Sequence, residues 1–252
     1  MRRLVMIGTA VAVLGTAAAA YAATNFNNYS GSGLAFSGSK SALAMVESLK
    51  AGAPAGDRAA PLTDIKVKIQ GVKLDVGKLP VCTDSKILSN KTSPTGGCPK
   101  GSQIATGTVN SLLGPSTSPS MTGSTACNPF LNVFSGGPST QVFYFWTKSA
   151  TDCGGLTTGS TAPYDGHISY SGGFAVINVP LPPDISTKVA NQPGLYGSLI
   201  KEVLHFGAKV NGKPYMASTS CKGSRKWSIT FTATKYNGGG PETQTVSGKS
   251  SC

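Results

Sequence analysis

Apolar and polar residues alternate along several stretches of the chain, with the two-residue period of a β-strand that has one buried and one wet face. In residues 64–70 (DIKVKIQ), isoleucine and valine alternate with charged and polar residues, and residues 72–76 repeat the pattern after Gly71. Residues 103–109 form a threonine-rich run of the same length. Each of these stretches predicts a strand.

Turn residues separate four pairs of apolar runs, and this spacing predicts four β-hairpins. The paired runs are 131–134 with 141–147, 167–170 with 174–179, 200–210 with 215–219, and 227–231 with 243–246. Asn211-Gly212, between the runs of the third pair, is the strongest short hairpin signal in the chain. The run 141–147 (QVFYFWT) is apolar on both faces, so it is predicted to be a central strand.

One segment, residues 41–50 (SALAMVESLK), fits both a helix and a strand. Its apolar residues lie on one 3.6-residue face, whereas the neighbouring Gly, Ser and Pro residues argue for a short element, and a strand is favoured. Many short strands without a convincing long helix predict an all-β protein, built as a single β-sandwich or jelly-roll-like domain.

The first 22 residues have the pattern of a cleavable signal peptide. Arg2 and Arg3 precede an uncharged apolar run, and Ala20-Tyr21-Ala22 is a small-x-small cleavage pattern. A permanent membrane anchor is the alternative, because the run is about long enough to span a bilayer. The run is rich in Ala, Gly and Thr, which favours cleavage. The sequence therefore predicts a secreted protein whose β domain comprises residues 23–252, without an integral membrane anchor.

Charged residues are few, and most of them are basic. Of the 22 Lys and Arg residues, two lie in the predicted signal peptide, which leaves 20 against 10 acidic residues and a net charge of +10. Such an excess on a secreted protein favours anionic partners, such as cell-wall polymers or acidic polysaccharides. A merely solubilising surface explains it as well. The lysines are scattered and no nucleic-acid motif occurs, so nucleic acid is not an expected partner.

The cysteines also indicate export. All six lie in the mature region, without a C-x-x-C pair, and this predicts three disulfides in an oxidising compartment. Near-equal distances from the turn around residues 236–241 pair Cys221 with Cys252. Near-neighbour logic gives Cys82–Cys98 and Cys127–Cys153 for the other two.

Candidate catalytic residues are few. His167 lies two residues after Asp165, an arrangement that suits a base with an orienting carboxylate, although an exposed histidine beside a turn is the more frequent case. Glu47, Glu202 and Glu242 are the only glutamates, so a carboxylate pair for glycoside hydrolysis would have to assemble in the fold. No residue spacing supports a metal site or a nucleotide-binding loop. No catalytic residue, metal or cofactor is therefore predicted.

Aromatic side chains are the remaining signal for binding. Tyr144, Trp146 and Tyr170, together with Trp227, would stack on sugar rings if they reach a surface. Core packing explains them at least as well, since aromatic residues dominate the cores of β-sandwiches. With His167 added, Tyr144, Trp146 and Tyr170 are the ligand-binding candidates.

Four spaced motifs contain five of the six cysteines. The motifs are Leu79-Pro80-Val81-Cys82, the run CPKGSQIATGTV at 98–109, Cys127-Asn128-Pro129-Phe130-Leu131, and Cys221-Lys222-Gly223 with Trp227 and Cys252. Together they resemble a family of uncharacterised secreted actinobacterial proteins. Ala105 replaces the usual first glycine of the C-P-x-G-S-x-[IV]-G-x-G element. The resemblance covers roughly residues 29–252. It implies a signal peptide followed by one β-rich domain with paired cysteines, and it implies no catalytic residue.

The preferred interpretation is a secreted, non-enzymatic protein that binds or structures cell-envelope or extracellular material through a basic surface. A secreted hydrolase of envelope polysaccharide or ester is the first alternative, with residues that meet only in the fold. A carrier that holds an apolar ligand between its sheets is the second.

Overall fold

Antiparallel strands are the main secondary structure over residues 26–155 and 161–252, the parts of the chain that this computed structural model describes. The all-β class is confirmed. In chain order the strands are β1 (Gly33–Ser39), β2 (Ala42–Lys50), β3 (Leu62–Gln70), β4 (Val72–Leu74), β5 (Gln103–Pro115), β6 (Thr125–Cys127), β7 (Phe130–Ser135), β8 (Thr140–Trp146), β9 (Tyr164–Ser171), β10 (Phe174–Pro180), β11 (Leu195–Phe206), β12 (Lys209–Val210), β13 (Lys213–Pro214), β14 (Met216–Ser218), β15 (Ser224–Thr234) and β16 (Pro241–Ser251).

Helical structure in the described residues is confined to short pieces. The α-helix α1 (Asp84–Leu88) has five residues, and three 3₁₀ segments occupy Ala150–Cys153, Val189–Asn191 and Tyr236–Gly238. Across the described residues, no helix has the length and apolar character needed to span a bilayer. The predicted signal peptide, residues 1–22, lies outside the described residues.

Fourteen strands form one continuous sheet with the order β16-β15-β3-β10-β9-β8-β7-β5-β11-β2-β14-β4. β1 pairs with β2 and β6 pairs with β5, while β12 and β13 form a separate two-stranded ribbon. The sheet bends over on itself, so that β16 reaches β1. The Ser250 hydroxyl on β16 donates a hydrogen bond of 2.8 Å to the Leu34 carbonyl on β1. Opposite walls of the sheet therefore face one another across a common core.

The alternation in the sequence decides which side chains enter this core. On β3, Ile65, Val67 and Ile69 are buried, and the lysines between them point outward. The segment 41–50 is the strand β2, as favoured, and its Leu43, Met45 and Leu49 are buried. A strand is adopted because β2 pairs with β1 on one side and with β11 on the other.

β8 is a central strand between β7 and β9, which confirms the prediction from its apolar faces. Its inner residue Phe143 belongs to the main core, whereas Tyr144 points to the outer face. There Tyr144 packs in a second, smaller core with Cys82 and with Ile87 of α1. The strand is apolar on both sides because the α1 segment covers its outer face.

Three of the four predicted hairpins are confirmed: β7–β8, β9–β10 and β15–β16. The pairing of 200–210 with 215–219 is wrong. Asn211-Gly212, with positive φ angles of 49° and 81°, does form a tight turn, but it joins only the two-residue strands β12 and β13. β11 pairs instead with β2 and β5, and β14 pairs with β4. These long-range ladders form more backbone hydrogen bonds than a hairpin closed by the local turn would.

All three predicted disulfides are confirmed: Cys82–Cys98, Cys127–Cys153 and Cys221–Cys252. The last one does not lie within the β15–β16 ladder, as equidistance from the turn suggested. That ladder ends at Ser224 opposite Ser251, and the bridge joins the residues beyond the strand ends. It therefore ties the end of the chain to the start of β15.

Candidate functional site

The outer side of five adjacent strands, β16, β15, β3, β10 and β9, carries four lysines: Lys66 and Lys68 on β3, Lys226 on β15 and Lys249 on β16. Their neighbours Ile65 and Ile229 are buried in the core, so the alternation of the strands turns the lysines outward. The lysine side chains are exposed or half-buried. We call this surface the cationic face.

Strand register aligns the cationic face in straight rows. One row runs from Thr245 through Thr230, Lys66 and Asn178 to His167, with one residue from each of the five strands. The Thr230 and Thr245 hydroxyls are 2.8 Å apart and hydrogen-bonded. Since neighbouring strands are about 4.8 Å apart, such a row is about 19 Å long.

Lys226 and Lys249 are direct cross-strand partners on this face. Like charges opposite each other destabilise a sheet, so this pair is not explained by the stability of the sheet. Asp64 is the acidic residue among the outward positions of β3, and it accepts a hydrogen bond from the Asn178 amide over 3.0 Å. The placement of two lysines side by side is a local cost of the kind found at functional surfaces.

The four predicted ligand-binding residues do not converge. Tyr144 is fully buried, and its hydroxyl donates a hydrogen bond of 3.2 Å to the Lys91 carbonyl. Trp146 is half-buried against Phe130, with ring centroids 6.0 Å apart. The buried Tyr144 is a core residue, and the role of Trp146 in binding stays a prediction.

His167 and Tyr170 lie on the same strand but on opposite faces. His167 is exposed at the border of the cationic face. Tyr170 is half-exposed on the other side of β9, and its hydroxyl accepts a hydrogen bond of 3.0 Å from the Leu74 backbone N–H. A single ligand does not reach both side chains across the sheet, so only His167 belongs with the cationic face.

A second feature is a cavity of about 110 Å³ between the facing walls of the sheet. Its lining is mainly aliphatic and comes from β3, β5, β11 and the segment 181–190, with the Cys127–Cys153 disulfide at one side. Glu202 of β11 is part of this lining although the side chain is 92% buried. The cavity therefore combines an apolar interior with one deeply buried carboxyl group.

A β-bulge at Ile200 gives Glu202 this position. The register between β11 and β5 shifts between Leu199 and Lys201, so one extra residue is inserted in β11. Leu199 and Glu202, three residues apart, thereby both face the cavity, whereas an unbroken strand would turn them to opposite faces. Ile200 itself is 40% exposed.

Glu47 on β2 is the partner of Glu202 in the core. Leu204 lies opposite Glu47, and Leu49 lies opposite Glu202, so the two glutamates are diagonal neighbours on one inward face. Neither carboxyl group makes a hydrogen bond to the described part of the chain. Burial raises the pKa of Glu47 to about 7, and burial together with the nearby Glu47 raises that of Glu202 to about 8.

Two further acidic groups lie near this pair. Asp184 lines the cavity, and partial burial raises its pKa. Burial also raises the pKa of the Tyr164 phenol, and the carboxyl groups of Glu202 and Asp184 add to the effect. A strongly basic protein thus keeps two glutamates in its core, with the half-buried Asp184 beside them.

The sequence identified the three glutamates as candidates, but it did not predict that Glu47 and Glu202 are neighbours in the core. The signal was present in the alternation of β2, where Glu47 occupies the same phase as the buried Met45 and Leu49. A charged residue at an apolar position of a strand is the mark of a buried ionisable group. No comparable residue pattern indicated the bulge at Ile200.

Comparison of the chain with protein-family models, with curated proteins and with solved structures finds no match.

Proposed function

We propose that this protein is exported from the cell and binds an anionic polymer of the cell envelope, a cell-wall polymer or acidic polysaccharide, through the cationic face. The observation that carries the proposal is the alignment of four lysines with hydroxyl and amide side chains across five strands. Lysine supplies charge for carboxylate or phosphate groups, and the hydroxyl rows supply hydrogen bonds for sugar or polyol hydroxyls.

The shape of the face favours an extended polymer over a compact ligand. Lys66 and Lys68 are two residues apart on one strand, so their Cα atoms are about 7 Å apart. Rows about 19 Å long suit several repeats of a chain that carries regularly spaced anions. The outward aromatic content is low, because Trp227 is turned inward and its indole N–H donates to the Ser250 hydroxyl over 3.2 Å.

Export is supported by two independent features. The N-terminal pattern is that of a signal peptide, and all six cysteines are paired in disulfides, which persist in oxidising compartments. The face is therefore expected to meet its partner outside the cytoplasm, where envelope polymers are found.

Replacement of all four lysines of the cationic face by glutamine (K66Q/K68Q/K226Q/K249Q) is expected to weaken binding to isolated cell walls by about 10- to 30-fold at low salt. Exposed ion pairs contribute about 0.2–1 kcal/mol each, so four of them sum to about 2 kcal/mol. Binding of the unchanged protein should itself fall steeply as salt is raised. Sedimentation of labelled protein with cell walls measures both effects.

A matched variant with the same change in net charge is K86Q/K100Q/K201Q/K213Q, in which four exposed lysines outside the face are replaced. It should retain most of the binding. Equal losses in the two variants would mean that net charge alone drives association, and this would contradict the proposal. Polygalacturonate and poly(glycerol phosphate) distinguish a carboxylate from a phosphate polymer, with dextran as the neutral control, and exclusive binding to anionic vesicles would indicate a lipid surface instead.

A further inference from the structure

The interior cavity has a composition opposite to that of the surface. The side chains that line it include the carboxyl groups of Glu202 and Asp184 and, within the described part of the chain, no Lys, Arg or His. The remaining lining is mainly aliphatic and aromatic, including Val109, Leu113 and Leu199. The cavity thus offers apolar contact and negative charge, and no positive charge to neutralise it.

Glu202 is held in place to face the cavity and has no partner there. Val109 on β5 and Leu49 on β2 flank it in the sheet, and both are buried. A buried glutamate whose carboxyl group makes no hydrogen bond costs free energy, and such a group beside a cavity is a candidate for ligand binding. The Thr161 hydroxyl, which also lines the cavity, is buried and unpartnered among the residues that the structure describes.

We propose that this cavity binds a small apolar amine, with the hydrocarbon group among the aliphatic side chains of β3, β5 and β11 and the protonated nitrogen against the Glu202 carboxylate. The site is separate from the cationic face and does not depend on the function proposed for it. An apolar cavity of about 150 Å³ takes benzene. A cavity of about 110 Å³ therefore suits a hydrocarbon group of about four to five carbons.

The charge of the lining selects an amine over an acid or an alcohol. A carboxylic acid would add a further anion beside Glu202 and Asp184, which repel it. An alcohol would gain a hydrogen bond but no ion pair. An ammonium group pairs with the Glu202 carboxylate, donates to the Thr161 hydroxyl, and stabilises the charged form of a carboxyl group that burial otherwise keeps protonated.

The test is a titration of the purified protein near pH 8 with n-pentylamine, followed by methyl NMR. The expected result is saturable binding, with a dissociation constant on the order of 1 mM for so small a ligand. The shifts should be confined to methyl groups of the lining, such as those of Val109, Leu113, Val189 and Leu199. Pentanol is expected to bind at least tenfold more weakly, and pentanoate and methylamine not to bind at these sites.

Two variants separate the head group from the tail. Glu202→Gln keeps the shape of the side chain and should reduce the affinity for pentylamine at least tenfold while leaving that for pentanol within about twofold. Leu199→Trp fills the cavity and should abolish both. Asp84→Asn, an exposed carboxyl group on α1, is the matched control and should change neither.

Several outcomes would overturn the inference. Equal affinities for pentylamine and pentanol would mean that Glu202 does not recognise the head group. Stronger binding of pentanoate would reverse the assigned charge, and shifts spread over surface methyl groups would mean adventitious association only. Thermal unfolding of each variant checks folding, and the unchanged protein alone decides the ranking of the four probes if a variant is unstable. Loss of polymer binding in the lysine variant leaves all these outcomes untouched.

Discussion

The free energy of unfolding is expected to fall by up to about 7 kcal/mol as the pH rises from about 4.5 to about 8, because Glu47 and Glu202 must then lose protons inside an apolar core. Their pKa values in the folded protein are raised to about 7 and about 8 from an ordinary value of 4.5. Between these limits the folded state binds more protons than the unfolded state does. The stabilisation is complete below about pH 4.5 and is lost as the pH rises through the two folded values.

The measurement is chemical denaturation at a series of pH values between 4.5 and 9. The double variant E47Q/E202Q removes both titrations and should flatten this part of the profile. It should also be more stable than the unchanged protein near pH 8, because a neutral amide replaces a carboxyl group that is forced to ionise. Asp57→Asn, a half-buried carboxyl group outside the pair, should leave the profile unchanged. If the double variant keeps the full decline, the buried pair is not its source.

Arg58 is expected to be the most costly single side chain to remove, with a loss of about 3–5 kcal/mol for Arg58→Met. The residue is 1% exposed. Its guanidinium group donates to the carbonyls of Pro115, Ser118 and Ser120 over 2.8, 2.7 and 3.3 Å, and to the Ser198 hydroxyl over 3.3 Å. Methionine keeps much of the volume but leaves three partly buried carbonyl groups without these donors.

The same guanidinium group lies 5.3 Å from the centroid of the Tyr236 ring, so it links the segment after β5 to the turn before β16. Arg58→Lys should recover only part of the stability, since an ammonium group does not span the donors of a planar fork. Lys86→Met, at an exposed position, should change stability by less than about 0.5 kcal/mol. Urea denaturation gives the values, and amide hydrogen exchange at residues 116–121 should rise in Arg58→Met. A loss below 1 kcal/mol would contradict this role.

Much of the local structure could be predicted from the sequence. The alternation of residues 64–70 identified β3 and separated its buried isoleucines and valine from its outward lysines. The turn residues between the runs 167–170 and 174–179 correctly predicted the β9–β10 hairpin, and near-neighbour pairing predicted two disulfides. These features depend on interactions between residues close in the chain, whose spacing is visible in one sequence.

Features that depend on distant partners were not predictable in this way. The tight turn at Asn211-Gly212 was predicted correctly, but it led to a local hairpin being predicted for β11. β11 pairs instead with β2, more than 140 residues earlier in the chain. The bulge at Ile200 depends on the register between β11 and β5, so the sequence of β11 alone does not predict it. Tyr144, for which ligand stacking and core packing were both open, is buried because the distant α1 segment folds over it.

By itself, the sequence determined the all-β class, the disulfide pairs and the outward phase of the lysines, because strand alternation and chain proximity are one-dimensional properties. Only the tertiary structure decided that four lysines share one face and that Glu47 and Glu202 meet beside a cavity. Register between strands far apart in the chain sets these positions, and the side chains that meet there are selected by the closure of the whole sheet around its core.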